Sequence, residues 1–177
     1  MKAKTASGHI IESEAEIINW NNADDKIIGT FFVDRFGKDA EAVLSEEATN
    51  TIDSADVIIF SAGTQWSSLI PTYQHRLCKE ALEHSKAKKY VVMNNMQDGD
   101  MIGTYSNELV RILCKYLPVN KSTFVFNEEA DDSMRVDSLY MSNHGLSYLN
   151  GKFGTAREHN GDDLAQVIMK DVWNSGL

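Results

Sequence analysis

The 177 residues suffice for one ordinary domain with a hydrophobic core and are too few for two; 42% hydrophobic and 24% charged residues, with 2 Pro and 11 Gly, exclude a disordered or fibrous chain. The formal charge of −9 excludes broad contact with nucleic acid or an anionic membrane, both of which are gripped by clustered Lys and Arg, while leaving room for a local basic pocket. No apolar stretch approaches the roughly 20 residues that cross a bilayer, and Met1-Lys2-Ala3-Lys4 leads into a polar segment, so a cytoplasmic location is expected, with Cys78 and Cys114 as reduced thiols.

Residues 9–18 mix β-branched residues with acids and predict an exposed or edge strand pair. Ile27-Ile28-Gly29-Thr30-Phe31-Phe32-Val33 is a strand bracketed by polar clusters, and a helical stretch follows, ending near Ser54. Asp56-Val57-Ile58-Ile59-Phe60 is a short continuous apolar run, the form of a strand covered on both faces. A small-residue loop, 61–68, leads to a helix over 73–85 with Leu77, Ala81 and Leu82 on one face, and then to a second apolar strand, Lys89-Tyr90-Val91-Val92-Met93. Strand, helix, strand makes a right-handed βαβ unit with parallel strands.

A polar loop, 94–104, precedes a helix with Ser106 as its N-cap and Leu109, Val110, Ile112 and Leu113 toward the core. Residues 122–126 predict a further strand, 127–160 a polar, irregular region whose acidic run 128–132 is a solvated loop, and Gly161-Asp162-Asp163 the start of a last helix. The fold class that follows is α/β: one domain over 1–177, with a parallel or mixed sheet flanked by helices, Rossmann-like.

Ligands of open parallel sheets bind outside the carboxyl ends of the strands, where loops meet helix N-termini. The loop Ser61-Ala62-Gly63-Thr64-Gln65-Trp66-Ser67-Ser68 is short on bulk and rich in hydroxyls, so its backbone can approach a phosphate while Ser61, Thr64, Ser67 and Ser68 donate hydrogen bonds. The same residues also suit a plain turn with an N-cap. The second loop, Asn94-Asn95-Met96-Gln97-Asp98-Gly99-Asp100, tips the balance, because the crossover sets it beside the first and its amides can read phosphate, base or sugar. Asp98 and Asp100 could hold a metal with phosphate oxygens, or be solvated. Trp66 stacks on a ligand ring or packs against the next helix. His84 and His159 read as surface residues and His144 as a turn residue; none has the spacing of a nucleophilic triad.

The run from Ala55 through Ser61-Ala62-Gly63-Thr64-Gln65-Trp66-Ser67-Ser68-Leu69-Ile70-Pro71 resembles the CofD-like (2-phospho-L-lactate transferase) superfamily, whose members carry a strand, a Gly-Pro type loop ending in Thr-Ser, and a Pro. A second likeness is Glu80-Ala81-Leu82, then Ser85-Lys86-Ala87, then Asn94-Asn95-Met96-Gln97-Asp98-Gly99-Asp100 with Gly103 and Tyr105-Ser106; Thr5-Ala6-Ser7-Gly8 onward is similar to a family hairpin. The likeness reaches about Leu117. Leu69-Ile70-Pro71 and Asn94-Asn95-Met96 are nearer the YvcK-like gluconeogenesis factors, which bind uridine-diphosphate sugars, than the transferases, which use a guanosine diphosphate conjugate. Ser61-Ala62 replaces the usual Gly-Pro, and Ser67 the usual Thr.

The resemblance implies a regulatory domain binding a nucleotide or nucleotide-sugar through Ser61, Gly63, Thr64, Gln65, Ser67, Ser68, Asn94, Asn95 and Gln97, with Mg2+ accompanying a bound diphosphate. The alternatives are a phospholactyl transferase and an interaction module without ligand. Family members are about twice this length and open on a Gly-Gly-Gly-Thr-Gly type loop absent here. The expectation is therefore a carboxy-terminal half that pairs with a missing amino-terminal half or with another copy of itself, and that binds nucleotide weakly when alone.

Overall fold

The structure, a computed structural model, describes residues 1–176. The first third builds a small antiparallel sheet from β1 (Lys2–Thr5), β2 (Ile10–Ile11), β3 (Ile27–Val33) and β4 (Asp39–Ala40) in the order β2-β1-β3-β4, with α1 (Glu14–Ile18) between β2 and β3. The strand pair expected over 9–18 is thus one short strand and a helix. Its acids are the reason: the Ser13 side chain accepts from the Glu16 N–H, and Glu14 and Glu16 occupy a first turn where free N–H groups favour negative charge.

After α2 (Glu46–Ser54) the chain enters a parallel sheet of β5 (Val57–Phe60), β6 (Lys88–Val92), β7 (Ser122–Asn127) and β8 (Ser147–Gly151), whose spatial order is its chain order. The crossovers carry α3 (Ile70–Tyr73) and α4 (Cys78–His84), then α5 (Ser106–Leu113), then α6 (Ser138–Asn143); α7 (Gly161–Asn174) closes the chain. The continuous apolar runs of β6 and β7 reflect burial on both faces. Val91, Phe124 and Phe126 enter the larger core with Trp66, Leu82, Leu109 and Leu113, while Tyr90, Val92 and Val125 alternate to the other side and meet Phe153 and, on α7, Ile168 and Val172. That division confirms the α/β class, and the antiparallel sheet is the departure from a purely parallel one.

Three expectations are corrected. The single helix over 73–85 is two, because Leu77 turns left-handed (φ 71°) where the Arg76 N–H donates to the Ala42 carbonyl and the Leu44 N–H to the Arg76 carbonyl, pulling the backbone out of the helix. Ser106 is not the N-cap of α5 but its first residue; its N–H donates to the Ser133 carbonyl and its hydroxyl to the Arg135 carbonyl, at 2.8 and 2.6 Å. The irregular region 127–160 holds α6 and the edge strand β8, which Ser147-Tyr148-Leu149-Asn150-Gly151 hides for lack of β-branched residues.

Cys78 is buried, Cys114 half-buried, and neither is bridged. Unfolding without reductant should release two titratable thiols per chain; none would mean a disulfide. No helix is long and apolar enough to cross a membrane.

Candidate functional site

The loops that leave β5 and β6 meet at the carboxyl edge of the sheet and are stapled by Asn94. Its Oδ1 accepts from Gln65 Nε2 at 2.9 Å, and its Nδ2 donates to the Gly63 carbonyl at 2.9 Å and to Asp98 Oδ2 at 2.7 Å. Every polar atom of that side chain is used, so Asn94 fixes the spacing of the two loops. Beside the staple lies a crevice of about 200 Å³ lined by Ala62, Gly63, Asn94, Asn95, Met96, Asp98, Arg157 and His159.

The last two residues come from the segment that sequence reasoning left irregular. After β8 the chain turns back on itself: the Thr155 N–H donates to the Glu158 carbonyl at 2.8 Å, the Asn160 N–H to the Phe153 carbonyl at 2.8 Å, and Gly154 bridges His159. Asn95 Nδ2 and Asn127 Nδ2 both donate to the Thr155 carbonyl, at 2.9 and 3.1 Å, and pin this hairpin over the ends of β6 and β7. Gly154 sits at φ 141°, where a Cβ would stand 2.0 Å from the Glu158 carbonyl oxygen. A glycine followed within six residues by Arg and His was the available signal; the geometry that makes it meaningful is not local. The acidic run takes part as well, since Ala130 is buried and the Asp131 N–H donates to the Asn95 carbonyl at 2.8 Å.

The expected residues divide. Gly63, Asn94 and Asn95 line the crevice, as does Asp98. Ser61 and Ser68 are exposed, and Thr64 donates its hydroxyl to that of Ser68 at 3.0 Å. The side-chain oxygen of Gln97 turns into its own loop, accepting from the Gly103 N–H at 2.7 Å. Gln65 and Ser67 are buried in a π-helical turn over Gln65–Leu69, and Trp66, 1% exposed, is a core residue with no face for a ligand ring.

Asp100 accounts for that turn. The backbone N–H of Ser67 donates to Asp100 Oδ2 at 2.9 Å, so a carboxylate of the protein itself takes the amide that the loop was expected to turn toward phosphate. Asp100 is 4% exposed. Burial pushes its carboxyl above the ordinary value, and the N–H groups of Ser67, Trp66 and Gln65 pull the other way. Gly99 lets the loop close this tightly, since a Cβ there would meet the Ile18 carbonyl at 2.7 Å. Asp98 is also raised, by burial and then by the charge of Asp100.

A carboxyl raised in the folded state holds its proton more tightly there than in the unfolded chain. Stability from this source is therefore greatest below the unfolded value and is lost as pH rises through the folded one. Asp98→Asn should raise the melting temperature at pH 7, with the gain shrinking toward pH 4. Thermal scans showing a constant or reversed difference would refute the assignment.

Among the described residues no group of three His, Cys, Asp or Glu stands close enough to hold a metal ion. Among the residues that line the crevice, Asp98 is the carboxylate.

The comparisons agree with this architecture. A family model described as 2-phospho-L-lactate transferase CofD matches residues 1–148. A curated protein of Aquifex aeolicus named "Putative gluconeogenesis factor" is 25% identical over 194 residues, covering 99% of this chain and 58% of its own length. One of the same name from Thermoanaerobacterium thermosulfurigenes is 36% identical over 114 residues, covering 64% of this chain and 34% of its own. A crystal structure of a UPF0052 family member from Bacillus halodurans superposes with TM-score 0.74 at 18% identity, over 94% of this chain and 57% of that one. The chain thus spans roughly half the length of the relatives it matches, or less. Because that family model matches residues 1–148, five-sixths of its length, the chain belongs to the CofD family.

Proposed function

We propose that this chain contributes a phosphate- and sugar-reading wall to a nucleotide-sugar site of regulatory character. The observation that carries the reading is the crevice itself: one exposed cation, Arg157, faces the small backbone of Gly63 and the amide of Asn95 at the carboxyl ends of parallel strands. Arg suits this place because its planar fork gives two parallel donors to a phosphate. The side-chain oxygen of Asn95 is buried without a hydrogen-bond partner, as a group awaiting a donor would be. Asp98 is the carboxylate available to a Mg2+ that arrives with a diphosphate.

The crevice is smaller than the roughly 300–1,000 Å³ of most small-molecule pockets, so it suits a diphosphate with part of a sugar and leaves the base outside. Weak binding by this chain alone follows from that size. Titrating uridine-diphosphate glucose into isotope-labelled protein should shift the amide signals of Gly63, Asn95, Arg157 and His159 before any others. Arg157→Ala should then weaken binding about 10- to 100-fold, the equivalent of a charge-assisted hydrogen bond at roughly 1.5–3 kcal/mol. No shifts at these amides would sink the proposal.

The description of the matching family model favours a second reading, phospholactyl transfer from a guanosine diphosphate conjugate. Turnover with such a conjugate, set against binding alone of the uridine-diphosphate sugar, separates the two.

A further inference from the structure

The Phe153 to Asn160 hairpin delivers two basic residues to the crevice, and they differ in kind. Arg157 is exposed and permanently charged, whereas His159 is half-buried, with its ring stacked on Phe153 at 5.6 Å between centroids and 21° between planes. That stacking, together with the backbone bridge to Gly154, fixes where the imidazole sits. Its Nε2 is buried and makes no hydrogen bond.

We infer that His159 takes up a proton when an anionic ligand seats in the crevice, so that the hairpin grips the ligand with two cations although the empty site carries one. The inference rests on the proposed ligand class and adds to it a coupling between binding and pH. A neutral imidazole offers one donor and one lone pair, while the protonated ring offers two donors, and only a donor serves a phosphate oxygen. Burial holds the empty-state imidazole below its ordinary value, with the Met93 carbonyl opposing from the backbone, so the ring starts neutral at pH 7. The other charged groups on the crevice are Arg157, which resists a second positive charge, and Asp98, which favours it; Glu158 adjoins His159 in the hairpin. A diphosphate reverses the balance by placing negative charge against both basic residues.

The test uses uridine-diphosphate glucose, whose diphosphate is esterified at both ends and does not titrate between pH 6 and 8, so that any proton taken up belongs to the protein. Calorimetry at one pH in buffers of different ionisation enthalpy should record net uptake approaching one proton per ligand bound. Affinity should fall as pH rises from about 6 to 8, by up to tenfold per unit, and His159→Gln should abolish both the uptake and the slope. The ring signal of His159 in the unsubstituted protein gives a reading independent of that variant: its midpoint should lie below that of a free histidine without ligand and move up with ligand. Binding with no proton uptake, or uptake that persists in His159→Gln, overturns the inference while leaving the binding reading intact. Absence of any binding overturns both.

Discussion

Replacing Gly154 with alanine should abolish ligand binding while leaving most of the protein folded. The new Cβ would lie 2.0 Å from the Glu158 carbonyl oxygen and 2.9 Å from the His159 Cα, both backbone-borne, so no side-chain rotation relieves the overlap. The φ of 141° adds a backbone conformation that costs a residue with a side chain of order 1–3 kcal/mol. The hairpin must open, and Arg157 and His159 leave the crevice together. Loss of the charge-assisted hydrogen bonds proposed for them, roughly 1.5–3 kcal/mol each, corresponds to a drop in affinity of about two orders of magnitude or more. The parallel sheet does not depend on the turn, so circular dichroism should change little. Retained affinity would show that the hairpin is not part of the site.

The second large effect is on stability. Trp66→Ala should cost about 3–5 kcal/mol, because Trp66 is 1% exposed and packs in the core cluster that also holds Leu109, Leu113, Phe124 and Phe126. At about 2–4 °C per kcal/mol for a chain of this size, the melting temperature should fall by roughly 6–20 °C. A stacking residue at a ligand site would behave oppositely, losing affinity with little change in melting. The two outcomes separate a core role from a binding role, and a melting temperature within a few degrees of the original would contradict the packing described above.

Legibility followed locality. The strands β6 and β7 show in the sequence because burial on both faces writes itself as an uninterrupted apolar run, β5 carries the same kind of run although Ile59 is half exposed, and the meeting of the two loops follows from the handedness of one crossover. Loop composition did not reveal where its side chains lie. Ser61 and Ser68, the hydroxyl residues expected to donate to phosphate, lie off the crevice wall, and Ser67 is inside the protein, since a carboxylate 33 positions away satisfies its amide. Nothing near Ser67 encodes the presence of Asp100. That Arg157 and His159 line the crevice is hidden from the sequence for the same reason: their place is set by Asn95 and Asn127 reaching across from other strands to the Thr155 carbonyl. Leu77 shows the limit in miniature, since a good helix former sits left-handed because its neighbour Arg76 pairs with Ala42 and Leu44.

A sheet whose spatial order is its chain order can be assembled as the chain is synthesised. Each strand pairs with the one that precedes it in the chain, one crossover back. Growth of this kind is one-sided: β6 covers one flank of β5, β7 covers β6, β8 covers β7, and none of the described residues returns to the other flank of β5. Among the described residues β5 is left with an open ladder edge in which Val57-Ile58-Ile59-Phe60 offers neither a charge nor a proline to repel a newcomer, with Ile59 52% exposed. Of the described sheet, that flank is the one most open to pairing with another strand, and so the one most in need of cover.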